Sequence, residues 1–232
     1  MKRIRHWLFV AVVAVAILST RSSGHDVITT PITFSREISR LFNERCVTCH
    51  HQGGMAFSLA TYEEARPWAK AIEEEVLERR MPPWGAVKGF GEFKSDQGLT
   101  QEQLEVIADW AEGGAPEGDP QNLPKPPVLP AVRAEKPASG GVAVNGELTL
   151  KAALAVSGVQ VRDAKDGASF MAVAERSDGT TEPLVWIYNY QAKFPRTYWY
   201  VAPLKLAAGT KIVISPAGSG GIALLTTAGR AN

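Results

Sequence analysis

The sequence predicts an α+β multidomain protein, an all-α domain followed by an antiparallel β-sandwich. Three observations carry this. Apolar residues recur at helical spacing through residues 34–112, and alternation of period two takes over beyond residue 140. Between them, residues 116–137 hold seven of the chain's 15 prolines. The expected boundaries are a leader over 1–24, a helical domain over 25–115, a proline-rich linker over 116–138 and the sandwich over 139–232.

The 232 residues carry 25 Lys+Arg against 24 Asp+Glu and are 45% hydrophobic. That excludes a disordered polyampholyte, a collagen-like repeat and a polytopic membrane protein. Lys2, Arg3 and Arg5 precede an apolar run over 8–18, and Ser22, Ser23 and Gly24 follow it. This is the layout of a secretory signal, and the run is short of the ~20 residues that span a bilayer. Cleavage is expected near Gly24, with export to the periplasm; a retained N-terminus would instead anchor the protein to a membrane. Without residues 1–24 the helical domain has 9 basic and 15 acidic residues, the remainder 12 and 9. Neither half is the basic surface of a nucleic-acid binder.

The helical elements follow in order. Ile38, Leu41, Phe42 and Arg45 set one face of a helix over 34–45. Thr61 and Glu64 form a capping box, Pro67 suits a first helical turn, and Trp68, Ile72 and Val76 continue an inner face. Pro82 and Pro83 end that helix and push Met81 toward extended backbone. Thr100 and Gln103 cap a last helix, Leu99 can staple to Leu104, and Gly113 and Gly114 close it. Beyond the prolines, β-prone runs lie at 147–156, 170–174, 184–190, 197–201, 211–215 and 222–226. Leu184, Trp186, Tyr188 and Tyr190 are expected on one face.

Both cysteines stand in Cys46-Val47-Thr48-Cys49-His50, the attachment pattern of a c-type haem. On a helical turn, positions i, i+3 and i+4 share a face. Two thiols there can form thioethers with the two vinyl groups on one porphyrin edge, and the next imidazole can bind the iron. Cys46 and Cys49 are therefore the expected tethers of one covalent haem c, and His50 its proximal ligand. A redox-active pair would want a βαβ setting, and zinc would want two separated ligand pairs. A plain disulfide would leave His50 without a role. For the opposite axial position the candidates are His25, His51, Met55, Met81 and Met171. His51 and Met55 follow the proximal ligand too closely, His25 is near a terminus, and Met171 sits on a β-prone run. Met81 is the expected ligand, and Met/His ligation raises the reduction potential. Phe57, Leu59, Trp68, Trp84 and Trp110 are candidate walls, with ordinary core packing as the alternative. Arg66, Lys70 and Arg80 are candidate propionate partners, and Glu73, Glu74 and Glu75 read as a solvated face.

With these residues in place, the first half resembles a class I-like c-type cytochrome domain. The resemblance rests on CVTCH, on Met81-Pro82-Pro83-Trp84 and on the helix ending ADWAEGGAPEGDP. The stretch TYEEARPWAKAIEEEVLERRMPPW is similar to cytochrome domains of bacterial multidomain proteins, where the partner is a copper type II ascorbate-dependent monooxygenase-like module. The run PLVWIYNYQAKFPRTYWYVAPLKLAAGTKIVI resembles that module. Its His-x-His copper pair would fall at Gly158-Val159-Gln160, and no histidine follows His51. The resemblance thus implies an all-α cytochrome c-like fold, a copper-free β domain, one-electron transfer and no substrate turnover. Redox partner proteins would dock on the acidic helical half, with no small-molecule substrate. The alternatives are a haem-dependent enzyme or monooxygenase-associated redox subunit, and a haem-based ligand sensor.

Overall fold

The structure, a computed structural model, describes residues 30–129 and 140–226. The leader over 1–24, His25 and linker residues 130–138 lie outside the described residues. Eight strands follow one another: β1 (Val142–Val144), β2 (Glu147–Thr149), β3 (Leu154–Arg162), β4 (Phe170–Glu175), β5 (Thr181–Ile187), β6 (Thr197–Leu206), β7 (Lys211–Ser215) and β8 (Gly221–Thr226). They form two antiparallel sheets of four, in the orders β1-β8-β3-β6 and β2-β7-β4-β5. Val144, Val156, Val159 and Leu224 of the first sheet share one apolar core with Ala172, Leu184, Ile212 and Ile214 of the second. Period-two patterning supplies these inward residues, as it must when each sheet buries a single face.

The pairing shifts register in β3 between Val156 and Gly158 and again between β4 and β5, where it changes an expected face. Ala172 lies opposite Val185 and Val173 opposite Pro183, so Leu184 is an extra residue in the β4–β5 pairing. This bulge turns both Leu184 and Val185 inward and leaves Trp186 41% exposed. The expected common face of Leu184, Trp186, Tyr188 and Tyr190 is therefore corrected: the bulge reverses the phase after Leu184.

The helical part has four α-segments: α1 (Ser39–Arg45), α2 (Tyr62–Ala65), α3 (Ala69–Leu77) and α4 (Gln101–Glu112). A π-helical turn, Phe34–Ile38, leads into α1, and a 3-10 turn with Pro67 near its start leads into α3. Both capping boxes form. Thr61 Oγ1 accepts from the Glu64 N–H at 3.3 Å, and Thr100 Oγ1 accepts from the Gln103 N–H at 3.1 Å. Phe34, Phe42 and Trp110 make the centre of this part, with ring centroids 6.1–6.3 Å apart. The first proline-rich residues are laid against it. The Pro116 carbonyl accepts from the Phe34 N–H and the Trp110 indole N–H, each at 3.0 Å. Among the described residues, no helix is long and apolar enough to cross a membrane.

The expected all-α cytochrome c-like domain is not what the chain forms. Its helices are short, and the residues between α3 and α4 belong in part to the sandwich. The Val87 N–H donates to Trp186 at 2.8 Å, and Ala86 bridges to Ile187 on the free edge of β5. The Lys94 N–H donates to Trp199 at 2.7 Å, and Phe93 bridges to Tyr200 on the free edge of β6. Trp84, Ala86 and Phe93 are buried in the sandwich core, not in the helical one. The segment is a strap over two adjacent sheet edges, which would otherwise present unpaired backbone groups. Gly91 lets it come close: with φ at 91°, a Cβ there would lie 3.0 Å from the Leu184 carbonyl.

Phe93 packs against Tyr198 and Tyr200 at 5.4 Å in each case. Phe93→Ala is expected to destabilise the whole protein by about 3–5 kcal/mol in urea unfolding. A loss under about 1 kcal/mol would mean that the strap adds nothing to the sandwich.

Candidate haem site

The attachment residues occupy one tight turn at the end of α1. The Cys46 carbonyl accepts from the Cys49 N–H at 3.0 Å and from the His50 N–H at 2.9 Å. The three side chains thus start from one helical turn, as their spacing implies. Gly54 folds the following loop back: the Ala56 N–H donates to the Cys49 carbonyl at 3.2 Å, and the Leu59 N–H to the His50 carbonyl at 3.0 Å.

His50 is oriented by its surroundings. Its Nδ1 lies 2.9 Å from the Phe57 carbonyl, which can only accept, so Nδ1 carries the proton and Nε2 keeps its lone pair. A carbonyl on the far nitrogen is how a metal-binding imidazole is commonly held in one tautomer and one orientation. The Phe57 ring meets the imidazole edge-on, 5.1 Å between centroids, and is itself backed by the tilted Trp68 ring at 4.6 Å. His51 is committed elsewhere, its Nδ1 lying 2.8 Å from the Val47 carbonyl.

Both cysteines are free thiols and half-buried. Burial of its sulfur, and then the neighbouring Cys49, push the Cys46 thiol up to about 12 against the pull of Arg45. Among the described residues, no three His, Cys, Asp or Glu side chains are grouped to hold a metal ion. A thioether-tethered macrocycle needs no such convergence.

Met81 is half-buried and packs, as Cys46 does, against the helical core. It lines a cleft with Val76, Trp84, Leu99, Leu104 and Tyr188, so both partners of the expected Leu99–Leu104 staple form one wall. Cys46, Cys49 and His50 are not among the residues lining that cleft. The Trp84 indole N–H, in the same cleft, is buried without an acceptor. An unpaired buried donor is costly, and a group carrying an acidic oxygen would satisfy it. Two free thiols and an imidazole held on one turn suit the attachment chemistry of a c-type haem, while the Met81 thioether and the Trp84 donor line a cleft that those three residues do not.

Other expected residues fall differently. Leu59 and Trp110 are core, Trp84 is sandwich core, and Phe57 and Trp68 are 49% and 46% exposed. Trp68 does not continue the buried face of Ile72 and Val76, because the 3-10 turn before α3 breaks the helical phase. Met55 is 61% exposed, and Met171 lies in β4 opposite Trp186. The Glu73–Glu75 run is not uniformly solvated. Glu73 is 6% exposed and pairs with Lys70 at 2.6 Å, while Arg80 forks onto Glu75 at 2.9 and 3.1 Å. Lys70 and Arg80 are thereby bound to α3. The Phe57 carbonyl and the strap were missed in the sequence, since neither backbone partners nor edge pairing leave a side-chain signal.

Comparison with protein-family models, with curated proteins and with solved structures finds no match to this chain.

A Cβ at Gly54 would lie 2.6 Å from the Cys49 carbonyl and 2.9 Å from the His51 ring. Gly54→Ala is expected to cost about 1–3 kcal/mol and to cut the yield of covalent haem after periplasmic maturation. Unchanged melting and unchanged yield would mean that the loop after His50 tolerates displacement.

Proposed function

We propose that the chain is an exported electron-transfer protein carrying one covalent haem c, with no substrate of its own. Cys46 and Cys49 would tether the haem, and His50 and Met81 would bind its iron. The observation that carries this reading is the 2.9 Å contact from His50 Nδ1, at the end of the Cys46–His50 turn, to the Phe57 carbonyl of the following loop. It gives a reason for a histidine immediately after the second cysteine, which neither a disulfide nor a dithiol redox site supplies.

When bound, the haem supplies a one-electron ferric/ferrous couple. The chain's own residues do the rest. The Phe57 carbonyl keeps the His50 proton on Nδ1 and the ring in one orientation. The Phe57 ring packs edge-on against the imidazole and is itself backed by Trp68, and the Trp84 N–H offers a hydrogen bond to an acidic substituent. The acidic helical half suits a redox partner with a basic docking surface, whose encounter would slow as salt is raised.

One observation favours a second reading: the cleft lined by Met81 does not include His50. If Met81 stayed in that cleft, the iron would be open on one side, as a haem-based sensor or haem-dependent enzyme requires.

The ferric protein is expected to show a sulfur-to-iron charge-transfer band, and its reduced form to ignore carbon monoxide. Met81→Ala should keep the covalent haem, lose the band and bind carbon monoxide. A wild-type protein with covalent haem, no band and ready carbon monoxide binding would move the second reading ahead. An unchanged ligand field in Met81→Ala would rule Met81 out.

A further inference from the structure

We propose that the β-sandwich is the positioning device of the Met81 loop, with Gln191, Tyr198 and Asn189 clamping its main chain; this rests on Met81 being the axial ligand. Three sandwich side chains reach carbonyls on both sides of Met81. Asn189 Nδ2 donates to the Glu78 carbonyl at 3.2 Å, and Gln191 Nε2 to the Arg80 carbonyl at 2.7 Å. The buried Tyr198 hydroxyl donates to the Trp84 carbonyl. Main-chain pairing continues the grip, with the Tyr188 N–H donating to Gly85 at 2.9 Å. On the other side, the Met81 N–H is tied to the Glu75 carbonyl of α3 at 3.1 Å.

The arrangement answers a specific need. A methionine side chain is unbranched and adaptable, so it cannot fix its own sulfur. Its backbone must be held instead, and between Arg80 and Trp84 the only other residues are Pro82 and Pro83, whose rings fix φ. Arg79, between the carbonyls held by Asn189 and Gln191, has φ at 54°, an unfavourable conformation for a residue with a Cβ. Such a conformation persists where the surroundings over-determine it. The sandwich thereby acquires a role in placing a side chain outside it.

The test uses the full chain matured with haem, comparing the wild type with Gln191→Glu, Tyr198→Phe and the double variant. Gln191→Glu removes the donor with little change of shape. Tyr198→Phe removes one hydroxyl and keeps the ring against Trp84, 5.1 Å away. The clamp predicts retained covalent haem, a weaker sulfur-to-iron band and faster carbon monoxide binding to the reduced form. Each lost hydrogen bond should multiply the Met81-detached population by about fivefold. A full band in the wild type with band and binding rate unchanged in the double variant overturns the clamp alone. Covalent haem without a band in the wild type overturns the ligation reading and the clamp with it. Should the double variant mature poorly, amide exchange in Gln191→Glu decides without reference to the haem. Faster exchange at Arg80 and Met81 with Ile212 and Leu224 unchanged supports the clamp, and equal protection at Arg80 and Met81 overturns it.

Discussion

Two bare strand edges lying side by side are the constraint on which this architecture turns. β5 and β6 each end a sheet, and a sandwich with such edges exposed invites pairing with another chain. The chain covers both with the residues that connect α3 to α4, using two short bridges and a buried phenylalanine. Met81 lies in that connection, between the end of α3 and the strap. Helices and sheets are therefore parts of one packing problem, in which Trp84 and Phe93 follow the helical elements in sequence and the strands in space.

The candidate site has the complementary character. Cys46, Cys49 and His50 are set by local structure, a single turn closed on the Cys46 carbonyl, and the imidazole is trimmed by one backbone acceptor. The main chain around Met81 is held by non-local structure, since the Arg80 and Trp84 carbonyls accept from residues more than a hundred positions away.

Legibility in the sequence follows the same division. The attachment turn, both capping boxes and the period-two strands depend on residues close together in the chain, and each left a pattern to read. The strap did not, because residues 82–98 contain two prolines and four glycines and have no period of their own. Their conformation comes from edges supplied more than ninety residues later. The expectation of an all-α domain failed at this segment, where loop residues that look independent are recruited by the sheets. Two smaller errors share a cause. The bulge at Leu184 and the 3-10 turn before Ala69 each shift a periodic pattern by a residue, and periodicity cannot report its own interruption.

The central claim is the covalent attachment, and mass spectrometry of the protein matured in a periplasm tests it most directly. The account predicts one haem added to the intact chain and retained on the proteolytic peptide containing Cys46, Cys49 and His50. The same peptide with two free thiols or a Cys46–Cys49 disulfide, in cells that mature other c-type cytochromes, would contradict it.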